Sequence, residues 1–151
     1  MLKKRITNSA RATQKMGENL VKQLIKSKKA VVIGLEGDLG SGKTTFLQGF
    51  AKGLGVKEKV LSPTFVILKR FKIKGETPFD NFYHIDCYRL QSPKELVQLG
   101  FEEIISNPEN IIALEWADKI RDILPSEAMF IKFKLINKNK RQISFAKVSL
   151  R

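Results

Sequence analysis

Eight consecutive residues of this chain have the types and spacing of a phosphate site. Gly37-Asp38-Leu39-Gly40-Ser41-Gly42-Lys43-Thr44 fits G-x-x-x-x-G-K-[ST], the P-loop pattern, at every fixed position. Glycines lack a Cβ, so the backbone can turn consecutive N–H groups inward around a polyphosphate. Lys43 then offers a point charge to the β- and γ-phosphates and Thr44 a hydroxyl to Mg²⁺, while the positive end of a following helix adds to the attraction. A glycine-rich turn that holds nothing is the alternative. With glycine at about 7% of average composition, four chance matches in a chain of this length have a probability under about one per cent.

Two carboxylates stand where they could work beside that loop. Asp86 closes the run Phe82-Tyr83-His84-Ile85, and Glu115 closes Ile111-Ile112-Ala113-Leu114. An acid at the end of an apolar strand sits at the mouth of a buried sheet, where it either meets metal and water or is simply solvated. Glu115 is the first choice for Mg²⁺, with Thr44 as its partner ligand, and Asp86 for orienting the attacking water or holding the hydration shell of the ion. Thr64, in Ser62-Pro63-Thr64-Phe65, is a candidate switch that meets γ-phosphate or metal and lets go after hydrolysis; a threonine that starts a strand is the plainer account. His84 shares a strand face with Asp86 and reads best as a satisfied core histidine, and Cys87 as a small buried hydrophobe. Trp116 either packs in the core or stacks near the nucleotide. Asn137-Lys138-Asn139-Lys140 superficially matches the guanine-reading N-K-x-D, but the aspartate is missing, so adenine is the default base.

The elements that must position these residues follow from periodicity. Ala30 to Glu36 predicts a buried strand entering the loop, and Thr45 to Ala51 a helix leaving it, with Gly53 and Gly55 ending the helical pattern. Ahead of them, Lys3 to Thr7 predicts a short edge strand. Ser9 caps a helix carrying Ala12, Met16, Leu20 and Leu24 on one stripe, with Val21 and Ile25 beside it. Phe65 to Ile73 and Phe82 to Asp86 predict two strands joined by a turn over Gly75 to Asp80. Ser92-Pro93-Lys94-Glu95 is a helix start with a capping box, for a helix that stops at Gly100. Asp118 to Leu124 predicts a short helix ended by Pro125, and Met129 to Ile136 with Gln142 to Leu150 a terminal hairpin. The expected fold class is α/β, a P-loop NTPase-like three-layer domain with a mixed sheet, parallel at the centre and antiparallel at the edge strands. Ligands on such sheets sit beyond the carboxyl ends of the parallel strands, where Asp86, Glu115 and the loop would converge.

Composition narrows the class. At 151 residues the chain fits one domain, 1–151, long enough to bury roughly 68–70% of its unfolded surface. Apolar content is 42%, and no apolar run approaches the roughly 18 residues that span a bilayer. Met1 to Thr7 lacks the apolar segment of a secretory signal, so the expectation is a soluble, cytoplasmic protein with no membrane partner. A single cysteine excludes an internal disulfide, and one cysteine with one histidine cannot build a zinc site. The net charge of +13 points toward RNA or an acidic partner. That charge is mostly lysine scattered along the chain, so sequence-specific reading does not follow.

Taken together, these residues resemble the bacterial TsaE family, small P-loop ATPases of tRNA threonylcarbamoyladenosine synthesis. The resemblance rests on Gly37 to Phe46, Ser62-Pro63-Thr64-Phe65, His84-Ile85-Asp86-Cys87-Tyr88-Arg89-Leu90, Glu95 with Gly100 and Glu102, and Leu114-Glu115-Trp116 followed by Leu124-Pro125. The chain departs from the pattern at Ser41, where alanine is common, at Cys87, where leucine is common, and at Asp118, where glutamate is expected. The resemblance implies ATP binding on the loop through Thr45, Mg²⁺ on Thr44 and Glu115, Asp86 as the Walker-B-like acid, Thr64 as the switch threonine and Trp116 beside the metal-binding glutamate. Lys43, Asp86 and Thr64 are thus the implied catalytic set. It implies the partners TsaB and TsaD, with tRNA met indirectly or through the basic surface, and an ATPase that is weak alone and stimulated by its partners. Two other readings stand beside it. A small-molecule kinase would want arginines from a mobile lid, and this chain has few arginines, Arg89 being the one close to Asp86. An RNA-binding module would keep the loop for structure only.

Overall fold

The computed structural model describes residues 3–61 and 67–147. In chain order the elements are β1 (Lys3–Thr7), α1 (Ala10–Leu24), β2 (Val31–Glu36), α2 (Lys43–Leu54), β3 (Leu68–Lys72), β4 (Asn81–Asp86), α3 (Pro93–Gln98), α4 (Phe101–Ser106) and β5 (Asn110–Glu115), then a 3-10 segment (Ala117–Ile123), β6 (Met129–Leu135) and β7 (Arg141–Lys147). The most apolar runs, β2 and β5, pair in parallel at the centre of the sheet because a strand with no polar face must be covered on both sides. β6 and β4 flank them, also in parallel. The outer strands β7, β1 and β3 are antiparallel additions, which completes one seven-stranded sheet in the order β1-β7-β6-β2-β5-β4-β3.

Alternation along the central strands feeds two cores. Ile33, Leu35, Ile111 and Ala113 face α1 and α2, whereas Val32, Ile112 and Leu114 face Leu96 of α3, Phe101 of α4 and Ile120. The result is the expected three-layer α/β arrangement. Phe46, Leu47, Phe50 and Leu54 of α2 are fully buried, and at roughly 1.5–3 kcal/mol for each such side chain they fix the helix whose first turn carries Lys43 and Thr44. α1 lies against α2 almost backbone to backbone. A Cβ on Gly49 would fall 1.8 Å from the Gln14 carbonyl oxygen, and one on Gly17 would fall 2.2 Å from that of Phe46.

Caps behave as their residue types require. Ser9 Oγ accepts from Ala12 N at 3.0 Å, and Ser92 with Glu95 forms the full capping box. Three boundaries differ from the sequence expectation. α2 runs through Gly53 and ends at Gly55, whose φ of +86° closes the helix; an interior glycine costs only ~1 kcal/mol, less than the buried face returns. Gly100, with φ +87°, does not simply stop α3 but caps a further short helix, α4, that periodicity did not reveal. The short helix expected over Asp118 to Leu124 is a 3-10 segment that begins one residue earlier and is broken at Ile120. The expected strand over Phe65 to Ile73 is realised as β3, with Phe65 and Val66 outside the described residues.

Both sheet edges are basic. β1 exposes Lys3, Lys4 and Arg5, and β3 exposes Lys69, Arg70 and Lys72. Charges on edge strands discourage pairing with another chain, which accounts for part of the positive charge without any ligand. No helix among the described residues is long and apolar enough to cross a membrane.

Candidate functional site

The loop between β2 and α2 takes the shape that its glycines allow. Gly40 and Gly42 have φ of +80° and +107°, the left-handed region closed to most side chains. Gly42 is the N-cap residue of α2, and its carbonyl accepts the first helical bond from Phe46 N at 2.9 Å. Lys43 is buried and folded back on the loop, donating through Nζ to the carbonyl oxygens of Gly37 and Asp38. Burial lowers its pKa from the ordinary lysine value, and the nearby charges of Glu115, Asp86, Asp38 and Asp118 pull it back up. Ser41 Oγ is buried and, among the described residues, has no hydrogen-bond partner. Leu39 is the loop tip, 88% exposed.

The two candidate carboxylates are neighbours in space. Parallel pairing of β4 with β5 sets Asp86 directly opposite Glu115, and the pairing of β5 with β2 sets Glu115 opposite Leu35, one residue short of the end of β2. The ends of these three strands therefore meet at the start of α2. Glu115 is only 4% exposed, so it is not a solvated strand end. Its Oε2 lies 2.6 Å from Nε2 of His84, which is buried and hydrogen-bonded as the expected satisfied core histidine, with Glu115 as the partner. Asp86 is half-buried and accepts from Tyr88 N at 2.9 Å. Burial raises its pKa above the ordinary aspartate value; the Tyr88 N–H opposes this and the Glu115 charge adds to it.

Trp116 follows Glu115 with φ +59°, the one non-glycine residue in the left-handed region among those described. Such a conformation costs on the order of 1 kcal/mol or more and persists where the surroundings impose it. Here it turns the indole across the mouth of the site. The ring centroid is 4.4 Å from Lys43 Nζ and 5.0 Å from the ring of Tyr88. Cys87 is fully buried, and burial pushes its thiol up to about 12, so it behaves as an unreactive apolar residue, as expected.

The structure thus brings Lys43, Asp86, Glu115 and Trp116 together, with Gly37, Asp38, Leu39, Gly40, Ser41, Gly42, Thr44 and Thr45 on the loop and the first turn of α2. Thr64 lies outside the described residues. Sequence reasoning missed Arg141 of β7, whose Cδ and Nε lie 3.3 Å from where a Cβ on Gly42 would be. It also missed Lys119, which donates to the Tyr88 carbonyl oxygen, and Arg121, which binds both oxygens of Glu36 at 2.9 and 3.2 Å. Nothing in the spacing of these basic residues separates them from the rest.

The donor set is one of hard oxygens. Among the described residues no group of three or more His, Cys, Asp or Glu could hold a metal by itself. A hydroxyl and one or two carboxylates beside a phosphate loop suit Mg²⁺, which takes few protein ligands and completes its shell with water and phosphate.

A family model described as threonylcarbamoyl adenosine biosynthesis protein TsaE matches residues 7–143, which includes the loop, both carboxylates and most of the terminal hairpin. The chain belongs to the TsaE family. The tRNA threonylcarbamoyladenosine biosynthesis protein TsaE of Bacillus subtilis is 41% identical over 125 residues, covering 83% of this chain and 75% of that protein. Its counterpart in Rickettsia typhi is 38% identical over 117 residues, covering 77% of each. The crystal structure of Bacillus subtilis YdiB superposes with a TM-score of 0.72 at 30% identity, covering 99% of this chain and 87% of that one. The family resemblance read from the motifs and the α/β fold class both stand. TsaE proteins are components of tRNA threonylcarbamoyladenosine biosynthesis, and the site described above lies within the TsaE match.

Proposed function

We propose that this TsaE-family chain is a Mg²⁺-dependent ATPase that supports threonylcarbamoyl modification of the tRNA adenosine beside the anticodon, acting with TsaB and TsaD. The observation that carries the reading is the register that sets Asp86 against Glu115 at the mouth of the P-loop, with Lys43 between the loop carbonyls and the Trp116 ring.

In this reading the loop N–H groups and the start of α2 bind the phosphates. Lys43 exchanges the carbonyls of Gly37 and Asp38 for phosphate oxygens, a donor swap that keeps its buried ammonium satisfied. Thr44 and Glu115 hold Mg²⁺, which when bound neutralises charge on the phosphates. Asp86 orients the attacking water; its raised pKa suits an acid that takes and returns a proton. Thr64 serves as the γ-phosphate switch. Trp116, beside Lys43, and Arg141, beside Gly42, would contact the nucleotide. The basic surface meets TsaB–TsaD or tRNA through charge, so complex formation weakens as salt rises.

The test is phosphate release from Mg-ATP by the purified chain, alone and with TsaB, TsaD and tRNA. Weak activity that rises with the partners and is lost in Lys43→Ala and Glu115→Ala supports the proposal. Transfer of phosphate to an added metabolite would instead favour a kinase, and RNA binding indifferent to ATP and to Lys43→Ala would favour an RNA-binding module. Complex formation without salt dependence would remove the charge-driven contact.

A further inference from the structure

Among the described residues Glu115 is the one buried acid, and an acid is seldom buried without a partner. Its partner is His84, with Nε2 at 2.6 Å from Oε2. The sheet register sets His84 opposite Ala113, so His84 and Glu115 are diagonal neighbours on one face, and the small Ala113 side chain leaves the imidazole room to reach the acid. Phe82 lies on the same strand face with its ring 6.3 Å from the imidazole and 7° from parallel, which holds the imidazole plane. A carboxylate that ligates a metal is ionised and only accepts, so in that state Nε2–H donates to Oε2. Among the described residues none donates to Oε1.

We infer that His84 is a positioning residue: by holding Oε2 it fixes the Glu115 carboxylate and leaves Oε1 to serve the magnesium ion of the bound nucleotide. The inference rests on the Mg-nucleotide reading above. A buried hydrogen bond of this kind is a weak source of net stability, since taking polar groups out of water offsets most of what their bond returns. Orientation of a ligand is the return that burial of this pair offers, as partners behind a metal ligand generally do.

The experiment reads the emission of Trp116, the single tryptophan of the chain, which adjoins both Glu115 and Lys43. ADP affinity is measured in EDTA, and the apparent Mg²⁺ affinity of the ADP-bound protein is measured by titration. In His84→Phe the affinity in EDTA is expected to stay within about twofold, while Mg²⁺ affinity falls about 10–100-fold. Should that variant not fold, His84→Gln and His84→Asn decide the matter. The glutamine amide nitrogen reaches the place of Nε2 and keeps Mg²⁺ affinity within about threefold of the parent, whereas asparagine is one bond short and loses it about tenfold or more. Equal Mg²⁺ affinities in the parent and the folded Phe or Asn variant would overturn the positioning role, as would equal losses with and without Mg²⁺. A parent protein whose ADP affinity ignores Mg²⁺ would overturn the Mg-nucleotide reading itself, and the role of His84 with it.

Discussion

The ammonium of Lys43 stands 4.4 Å from the centroid of the Trp116 indole, so the phosphate loop and the residue after Glu115 are in direct contact across the site. On the proposed reading, a bound nucleotide draws Lys43 from the ring and from the carbonyls of Gly37 and Asp38. ADP is therefore expected to change Trp116 emission, and Lys43→Ala to reduce ADP affinity by about tenfold or more, equivalent to about 1.4 kcal/mol. A fluorescence titration checks both, and an emission indifferent to ADP would remove Trp116 from the site.

Asp86 combines a catalytic expectation with one for stability. Asp86→Asn should keep ADP affinity and lower phosphate release by about 10²-fold, the lower bound for losing a proton acceptor. The same substitution should raise the melting temperature at pH 7. Burial lifts the pKa of this carboxyl in the folded protein, so the folded state holds the proton to higher pH than the unfolded chain does. The ionised carboxylate then costs stability above its folded pKa, and that cost vanishes as pH falls toward the ordinary value of 3.8. Melting curves from pH 7 downward should show the gap between variant and parent closing.

Gly49 is where α2 meets α1. Its Cβ position lies 1.8 Å from the Gln14 oxygen and 2.5 Å from the Gln14 carbonyl carbon, both backbone atoms that cannot rotate away. Gly49→Ala must push the helices apart and should cost about 1–3 kcal/mol, measured by urea denaturation. Gly40→Ala is the contrasting case. Nothing lies within 4 Å of its Cβ position, but φ is +80°. Its cost should be about 1–2 kcal/mol of backbone strain, with ADP affinity falling as the loop relaxes.

Arg141 reaches the loop from β7, two strands away from β2 in the sheet, with Nε 3.3 Å from the Cβ position of Gly42. Arg141→Ala should weaken ADP binding about three- to tenfold, by up to about 1.4 kcal/mol, and more at low salt than at high. Its melting temperature should stay near that of the parent because the side chain is outside the core. An unchanged affinity would show that Arg141 only covers the glycine.

Much of the fold was legible because its signals are local. The apolar runs of β2 and β5, the capping box at Ser92 and Glu95, and the hairpin around Asn137 to Lys140 each lie within a few residues of one another. α4 escaped because Gly100 reads as a stop and its left-handed φ serves equally as a new start. That His84 is a satisfied core residue was legible, but its partner was not, since Glu115 lies 31 positions away and one strand over, where no spacing rule reaches.

By itself the sequence determined where the glycine-rich loop lies and that it fits the P-loop pattern, since glycines at 37, 40 and 42 with a lysine and threonine next are consecutive or near neighbours in the chain. It also determined which acids could end buried strands. Only the tertiary structure decided what stands opposite each group: Glu115 on His84, Lys43 under Trp116, Arg141 over Gly42. Those pairings depend on the strand order β2-β5-β4 and on the return of β7 alongside β6. Strand order is settled by covering two apolar faces at once, a condition on the whole chain that no short stretch of it can express.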